Sequence, residues 1–248
     1  MQEIMLLFAE KYGLTINEVM AEMEKVLSAI LSQWYRLEVM VTFRHDLKPE
    51  AVAFEKVGGI VLQRVIDLEK MRGTNSILRQ LEKSLSMAAV LKQTRQYKYY
   101  EKEIRWGDIT VIDCEKNYHI EIEILPGKTV TAICPLNRVG LHDQNSSSFS
   151  IGKKRAFHIR RVDPVVLSGT PRLKVMLDRV SKYLVEALLK EQLVGVADNI
   201  TIRCTKRYVG QKSFVVTSRR IPKSAIVAVS KELGEPLQVK FTQNQRCS

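Results

Sequence analysis

The sequence predicts an α+β protein of several domains: a helix-rich N-terminal domain, a small five-stranded β-barrel and a C-terminal α/β domain. Three observations favour this fold class. Apolar residues first recur at three- and four-residue spacing, five short β-like runs follow, and helix and strand patterns then alternate. We expect the domains to cover residues 1–104, 105–170 and 171–248.

The composition is that of a folded protein without a membrane span. Of the 248 residues 45% are hydrophobic and 27% charged, and only 12 are Gly and 7 Pro, which excludes collagen-like and low-complexity classes. The longest uncharged helical stretch, residues 26–35, has about half of the ~20 residues that cross a bilayer. The N-terminus lacks the basic start of a secretory signal, so we expect a cytoplasmic protein.

The net charge of +12 is concentrated in the C-terminal part of the chain. Residues 1–100 contain 14 Lys and Arg against 12 Asp and Glu, residues 101–150 contain 5 against 8, and residues 151–248 contain 20 against 7. A segment this basic attracts polyanions, and its placement on strands and turns favours nucleic acid as the partner. The alternatives are an anionic lipid surface, an acidic protein or a solvated basic face.

The N-terminal domain shows a clear helix start, because Thr15 and Glu18 have the spacing of a capping box. Residues 60–68 fit a helix and a strand equally well. The remaining spacing predicts helices over 16–35 and 76–103, and a strand over 37–43 that ends in a turn over 44–49.

The period changes to that of short strands in the middle of the chain. Turn-rich segments separate five β-like runs, namely residues 109–113, 119–124, 130–133, 156–160 and 165–167. Five short strands within such a distance predict a small closed barrel of the oligonucleotide-binding kind.

The C-terminal segment predicts the order α-β-β-α-β. Pro171 opens a helical pattern that runs to Leu193, and Gly234 marks the end of the second helix. The later elements are strands over 200–204 and 213–217, a helix over 222–233, a strand over 237–241 and a frayed tail over 242–248.

Enzyme signatures are missing from the sequence, and we expect a protein without catalytic activity or cofactor. Gly210–Ser213 lacks the adjacent Gly-Lys and the upstream glycine of a phosphate loop, so it predicts a hairpin turn. The four histidines are scattered and form no metalloprotease pattern. The four cysteines lie 20, 70 and 43 residues apart, which favours neither a zinc site nor a disulfide framework.

Three stretches resemble the NusA family of transcription elongation and termination factors. Residues 88–109 resemble the family's long helix running into its S1 barrel, residues 166–173 resemble the end of that barrel and the helix that follows it, and residues 200–203 resemble the first strand of a KH domain. The resemblance extends over about residues 10–241. It implies an N-terminal domain that binds RNA polymerase, an S1/OB-like barrel and a KH-like domain.

The resemblance implies RNA and RNA polymerase core as partners, and neither a membrane nor a small-molecule substrate. Family members usually have two KH domains, and the resemblance here extends over one. No glycine lies between Gly210 and Gly234, so the GxxG loop by which many KH domains hold a nucleic-acid backbone is absent. Residues 219–223 occupy roughly its place, where binding would depend on charge.

Basic residues, with one tyrosine and one histidine suited to base stacking, make up the predicted RNA-binding set. Its members are Lys116, Tyr118, His119, Lys128, Lys153, Lys154, Arg155, Arg160, Arg203, Lys206, Arg207, Lys212, Arg219, Arg220 and Lys223. The expected function is a transcription factor that docks on polymerase and contacts nascent RNA to modulate pausing, termination or antitermination. The alternatives are an S1/KH protein of translation and an enzyme acting on nucleic acid with a site assembled from scattered residues.

Overall fold

The structure, a computed structural model, describes residues 2–44, 46–68, 74–147, 149–194 and 200–242. Within them it contains six α-helices and eleven strands in three sheets, which confirms the mixed α+β class. The helices are α1 Gln2–Tyr12, α2 Ile16–Tyr35, α3 Thr74–Lys98, α4 Leu141–Gln144, α5 Lys182–Glu191 and α6 Lys223–Leu233. The strands are β1 Glu38–Phe43, β2 Pro49–Val57, β3 Ile60–Ile66, β4 Ile104–Ile112, β5 Tyr118–Leu125, β6 Lys128–Cys134, β7 Lys154–Leu167, β8 Thr170–Asp178, β9 Ile202–Tyr208, β10 Lys212–Thr217 and β11 Leu237–Phe241.

These elements belong to two compact units. The first unit comprises Met1–Arg95 with Pro164–Leu173, and the second comprises Gln96–Asp163 with Lys174–Ser248. His45, in the predicted turn over 44–49, and the predicted tail beyond residue 242 lie outside the described residues.

The first unit is built around α2, which begins at the predicted capping box. The Thr15 backbone N–H donates to Glu18 Oε2 at 2.7 Å, and the Glu18 N–H donates to Thr15 Oγ1 at 3.2 Å. These bonds satisfy amide groups that a helix start leaves without partners. The buried side chains of α2 confirm the predicted apolar face, and most of them pack with α1 and α3.

The first unit also contains an antiparallel sheet in the order β1-β2-β3. Residues 60–66, which fit either element in the sequence, form the strand β3. The sequence pattern does not predict β2, because its core-facing residues Ala51 and Ala53 are small and the strand starts with Pro49. Val39 and Val41 complete the buried face of this sheet.

Five strands close into one sheet in the order β4-β5-β6-β8-β7. The predicted strands over 156–160 and 165–167 are parts of the single strand β7. The fifth strand of the ring is β8, so the helix predicted from Pro171 is wrong over residues 171–178 and begins only at Lys182. Apolar residues in β8 alternate, with Val175 and Leu177 buried, and the same positions also fit a helical spacing.

The C-terminal elements confirm the predicted order α-β-β-α-β. β9 and β10 are antiparallel, β10 and β11 are parallel, and β10 is the central strand. α5 and α6 supply a core with one face of this sheet, in which Leu188, Val215 and Val229 are buried. α6 ends at Gly234, whose φ of 64° is the left-handed conformation predicted there.

Candidate nucleic-acid interface

A group of exposed predicted cations lies in residues 218–223, from the end of β10 to the first residue of α6, hereafter the cationic loop. Arg219, Arg220 and Lys223 are exposed, and none forms an ion pair within the described residues. Ser218 fixes the start of the loop, because its N–H donates to Thr201 O at 3.1 Å and its Oγ accepts from the Thr201 N–H at 2.9 Å. The loop therefore presents three cations on a tethered backbone.

The start of α6 adds donors to the cationic loop. Its N-cap is Pro222, which makes no side-chain hydrogen bond to the helix. Pro222 therefore offers no side-chain acceptor to the N–H groups of the first helical turn, and the helix dipole favours an anion beside them. Loop and helix start together suit the phosphate groups of a polyanion.

Three further predicted cations, Arg203, Lys206 and Lys212, lie on the exposed face of the β9-β10-β11 sheet, hereafter the open face. The strand register defines this face, because residues paired across strands point to the same side. The opposite face is buried against α5 and α6. The open face consists of Arg203, Lys206, Tyr208, Lys212, Phe214, Val216, Gln238 and Lys240.

Tyr208, Phe214 and Lys240 also lie on this face and are not among the binding residues predicted from the sequence. The Tyr208 and Phe214 rings meet edge to face, with centroids 6.2 Å apart, and the Lys212 Nζ lies 5.3 Å from the Phe214 centroid. A shallow cavity of about 410 Å³ lies against both rings. The two-residue alternation of β10 is the signal that links Phe214 to the predicted Lys212.

The predicted cations of the closed sheet are exposed but dispersed. Lys116 lies in the β4–β5 turn with a φ of 61°, and Lys128 follows the β5–β6 turn, so the two lie at opposite ends of β5. Lys153 and Lys154 precede or begin β7. The structure therefore does not bring these four lysines together into one site.

The two residues predicted to stack on bases have structural partners in the closed sheet. Tyr118 is buried, and its ring meets the edge of Phe149 at 5.1 Å, so it presents no free face to a base. Burial also raises the pKa of Tyr118. The partly buried His119 lies with its Nε2 3.3 Å from Asp113 Oδ2. We leave Tyr118 out of the candidate surface.

Three of the predicted arginines form ion pairs. Arg207 is the clearest case: its side chain is 2% exposed, and its Nε donates at 2.8 Å to the fully buried Glu235. Arg155 Nη1 lies 3.0 Å from Glu232, and Arg160 Nη1 lies 3.5 Å from Asp178. Arg207 is accordingly a structural residue, and the Arg155 guanidinium is paired with the Glu232 carboxylate.

Arg179 is a buried cation that the sequence analysis did not single out. It follows β8 and is 1% exposed, with its Nε 2.8 Å from Asp143 of α4 and its Nη1 3.0 Å from Glu232 of α6. The same Nη1 donates to the Ala156 carbonyl of β7 at 2.7 Å. Arg179 thus fastens the closed sheet to α6.

Arg207 strengthens this attachment, which we call the buried junction: Arg179 and Arg207 with Asp143, Glu232 and Glu235. The Arg207 Nη1 donates to the Arg179 carbonyl at 2.8 Å, and Glu235 also accepts from the Gly210 N–H at 2.8 Å. Burial alone would lower the pKa of Arg179, but the nearby carboxylates raise it above its ordinary value. The junction holds the closed sheet and the C-terminal sheet in one arrangement.

The exposed lysines and arginines of the cationic loop and the open face can bind phosphate groups. The two aromatic side chains, Tyr208 and Phe214, can contact the flat rings of a ligand. Among the described residues, no cluster of three His, Cys, Asp or Glu has a metal-binding arrangement, and no helix is both long and apolar enough to cross a membrane. Compared with models of known protein families and with curated proteins, the chain matches none.

Proposed function

We propose that this protein binds RNA through its C-terminal residues and RNA polymerase core through its N-terminal domain, and so modulates pausing, termination or antitermination. The observation that carries the proposal is the cationic loop beside the uncapped start of α6, within a segment of 20 basic and 7 acidic residues. In this proposal the closed sheet is an S1-like barrel and the C-terminal elements form a KH-like domain. The proposed function requires no catalytic site and no cofactor.

Electrostatics support the RNA half of the proposal. Exposed cations that neutralise phosphates release counterions from the nucleic acid, and this release makes the affinity depend on salt. Arg219, Arg220 and Lys223 are free to do so, whereas Arg179 and Arg207 are held by carboxylates. The positive charge that is available to bind RNA phosphates is therefore that of the cationic loop and the open face.

The first unit supports the polymerase half of the proposal, because it exposes large apolar side chains on one face of its sheet. On the outer side of the β1-β2-β3 sheet, Met40 pairs with Val52 and Val52 with Val65, so the three share one face. Met40 and Val65 are more than half exposed, as is Val61 of the same face. Exposed apolar side chains that share one sheet face are typical of protein–protein contact.

A charge-reversal variant tests RNA binding. R219E/R220E/K223E is compared with K56E/R79E/K83E, which makes the same change in net charge on exposed residues of the first unit. We expect only the loop variant to bind single-stranded RNA more weakly. Its plot of log affinity against log salt should be less steep by about 2, since each of the three lost phosphate contacts contributes roughly 0.7 to the steepness. An unchanged slope would contradict the assignment of RNA to the loop.

Co-elution with RNA polymerase core tests the docking half. We expect the nuclease-treated full chain to co-elute at moderate salt and M40D/V65D to lose this association, while L141D, at a more exposed apolar residue of the second unit, retains it. If the wild-type chain shifts RNA but does not co-elute, the polymerase claim fails. A role in translation or in general RNA binding then takes its place.

A further inference from the structure

The open face combines cations with aromatic rings and has no acidic member. Four of its eight residues, Arg203, Lys206, Lys212 and Lys240, are basic, and none forms an ion pair within the part of the chain that the structure describes. Since surface lysines and arginines commonly pair with nearby carboxylates, a face with cations alone is set up for an external anion.

The aromatic side chains run through the middle of this cationic face. Tyr208 is 53% exposed, and Phe214, its edge-to-face neighbour, lies between Lys206 and Gln238 in the strand register. Neither ring is needed to close the core, which lies on the opposite face of the sheet. A ligand that matches this surface must therefore offer flat apolar groups together with negative charge.

Single-stranded nucleic acid has both features. Its bases are free to stack on aromatic rings, and its phosphates follow at a regular spacing, whereas a duplex hides the base faces in its own stack. An acidic peptide or an anionic lipid surface supplies the charge without a regular series of flat rings. Charge and ring placement on the open face thus favour a single strand over these ligands.

We propose that the open face is a stacking platform for single-stranded RNA, with bases on Tyr208 and Phe214 and phosphates on the surrounding cations. β10 leads directly into the cationic loop, since Thr217 ends the strand two residues before Arg219. A bound RNA strand therefore continues from the open face onto the cationic loop. The ligand is the RNA of the proposed function, on which this inference rests, and the inference adds the two aromatic rings and the stacking of bases on them.

Substitution of the exposed ring separates stacking from charge. The full chain and its Y208A, Y208F and Y99A variants are titrated with a fluorescent 12-nucleotide single-stranded RNA, a duplex RNA of the same length, and polyphosphate. Y99A is the matched control, because Tyr99 is 86% exposed and lies outside the open face. We expect Y208A to weaken single-strand binding about tenfold, as loss of one stacked base does, while Y208F and Y99A stay within about twofold of wild type.

The other probes and a crosslink decide between stacking and charge. Duplex RNA and polyphosphate should bind Y208A as tightly as wild type, and photo-crosslinking with 5-iodouridine RNA should label Tyr208 or Phe214. Equal losses for polyphosphate and single-stranded RNA would overturn the platform, as would wild-type affinity of Y208A for the single strand. In that last case the loop variant R219E/R220E/K223E still reports on RNA binding, so the proposed function stands. If the wild-type chain binds none of the RNAs, both proposals fail.

Discussion

Arginine has opposite roles in two regions of the C-terminal half, the buried junction and the cationic loop. At the junction, Arg179 and Arg207 are almost inaccessible to water and each contacts at least one carboxylate. In the loop, Arg219 and Arg220 are exposed and without such partners among the described residues. The same side chain therefore organises the fold in one region and remains available to a ligand in the other.

The difference shows that a count of basic residues does not locate a binding surface. The adjacent residues Lys206 and Arg207 look equivalent in the sequence, yet Lys206 lies on the open face and Arg207 points into the junction. Strand alternation and the position of Glu235 decide between the two roles. Burial and pairing thus divide one basic segment into structural and binding cations.

The largest expected effect is the loss of the buried cation. Arg179→Met removes the buried cation between Asp143 and Glu232. Arg155 still contacts Glu232, but Asp143 is left in a nearly dry site without its guanidinium partner, so we expect the free energy of unfolding to fall by about 3–5 kcal/mol. Urea unfolding followed by circular dichroism measures it. R219E/R220E/K223E should change stability by no more than about 0.5 kcal/mol for each substitution, because exposed sites tolerate such changes.

These two variants together test whether the two regions differ in the role of their cations. A loop variant as unstable as Arg179→Met would show that the loop cations are structural after all. An Arg179→Met protein as stable as wild type would show that the junction does not depend on its charges, as is known for some buried ion pairs replaced by apolar residues.

A second, smaller effect is expected from a glycine at the junction. Gly210, in the β9–β10 turn, has a φ of +74°, and a Cβ there would lie 2.5 Å from His142 Nδ1. His142 itself is held by a 2.8 Å contact between its Nε2 and the Leu233 carbonyl oxygen, so it has little freedom to move. We expect Gly210→Ala to cost about 2–3 kcal/mol, the sum of left-handed strain and overpacking.

Gly127→Ala is the matched control for this glycine. Gly127 has the same φ of +74° in a hairpin turn, but a Cβ there meets no atom within 4 Å. Its substitution should cost only about 1 kcal/mol, from backbone strain alone. Equal losses for the two variants in thermal unfolding would mean that the contact with His142 contributes nothing.

The sequence predicts the elements of this fold better than the partners of its charged residues. The capping box of Thr15 and Glu18, the Gly234 helix end and the order α-β-β-α-β follow from local signals that act within a few residues. β8 is wrongly predicted as a helix, because its short apolar pattern fits both periods and only pairing with β6 and β7 decides. Local chemistry therefore fixes the elements that have caps or turns.

Which cations are available to a ligand depends on contacts between residues that are remote in the sequence. Asp143 and Arg179 are 36 residues apart, and Arg179 and Glu232 are 53 apart, so no spacing rule identifies the junction. The exposed cations of the loop are predicted because their charge is visible in the sequence. The burial of Tyr118 does not follow from the sequence, because an aromatic residue in a strand faces the core or the solvent according to a register that tertiary pairing sets.

A buried base without a partner gives a third, pH-dependent effect. His158 of β7 stacks on Tyr183, with centroids 5.8 Å apart, and neither of its ring nitrogens has a hydrogen-bond partner among the described residues. Burial lowers its pKa, with Arg160 and Lys102 acting in the same direction and Asp178 against it. The unfolded chain thus binds the proton more readily than the folded protein does.

The stability due to neutral His158 is therefore present above the unfolded pKa of about 6.5 and is lost as the pH falls below it. His158→Phe keeps an aromatic ring beside Tyr183 and removes the titration. We expect the urea midpoint of the wild type to fall more between pH 8 and 5.5 than that of the variant. Parallel pH profiles would show that His158 takes up its proton in the folded state without cost.

The smallest effect is expected where charges are paired but exposed, in the first unit. A hydrogen bond from Lys92, at 2.7 Å, and the Thr15 N–H lower the pKa of Glu18 to about 2. The Glu18 side chain is 42% exposed, so solvent screening reduces what this pair contributes to stability. Glu18→Gln keeps a side-chain oxygen for the cap and removes the charge, and we expect it to cost about 0.5 kcal/mol at pH 7.

Because the folded pKa of Glu18 is depressed, this contribution is present above pH 4.5 and declines as the pH falls toward 2. The difference in urea midpoint between wild type and Glu18→Gln should therefore shrink between pH 7 and 3. A loss as large as that of Arg179→Met would mean that pairing alone, without burial, sets the energy of an ion pair in this protein.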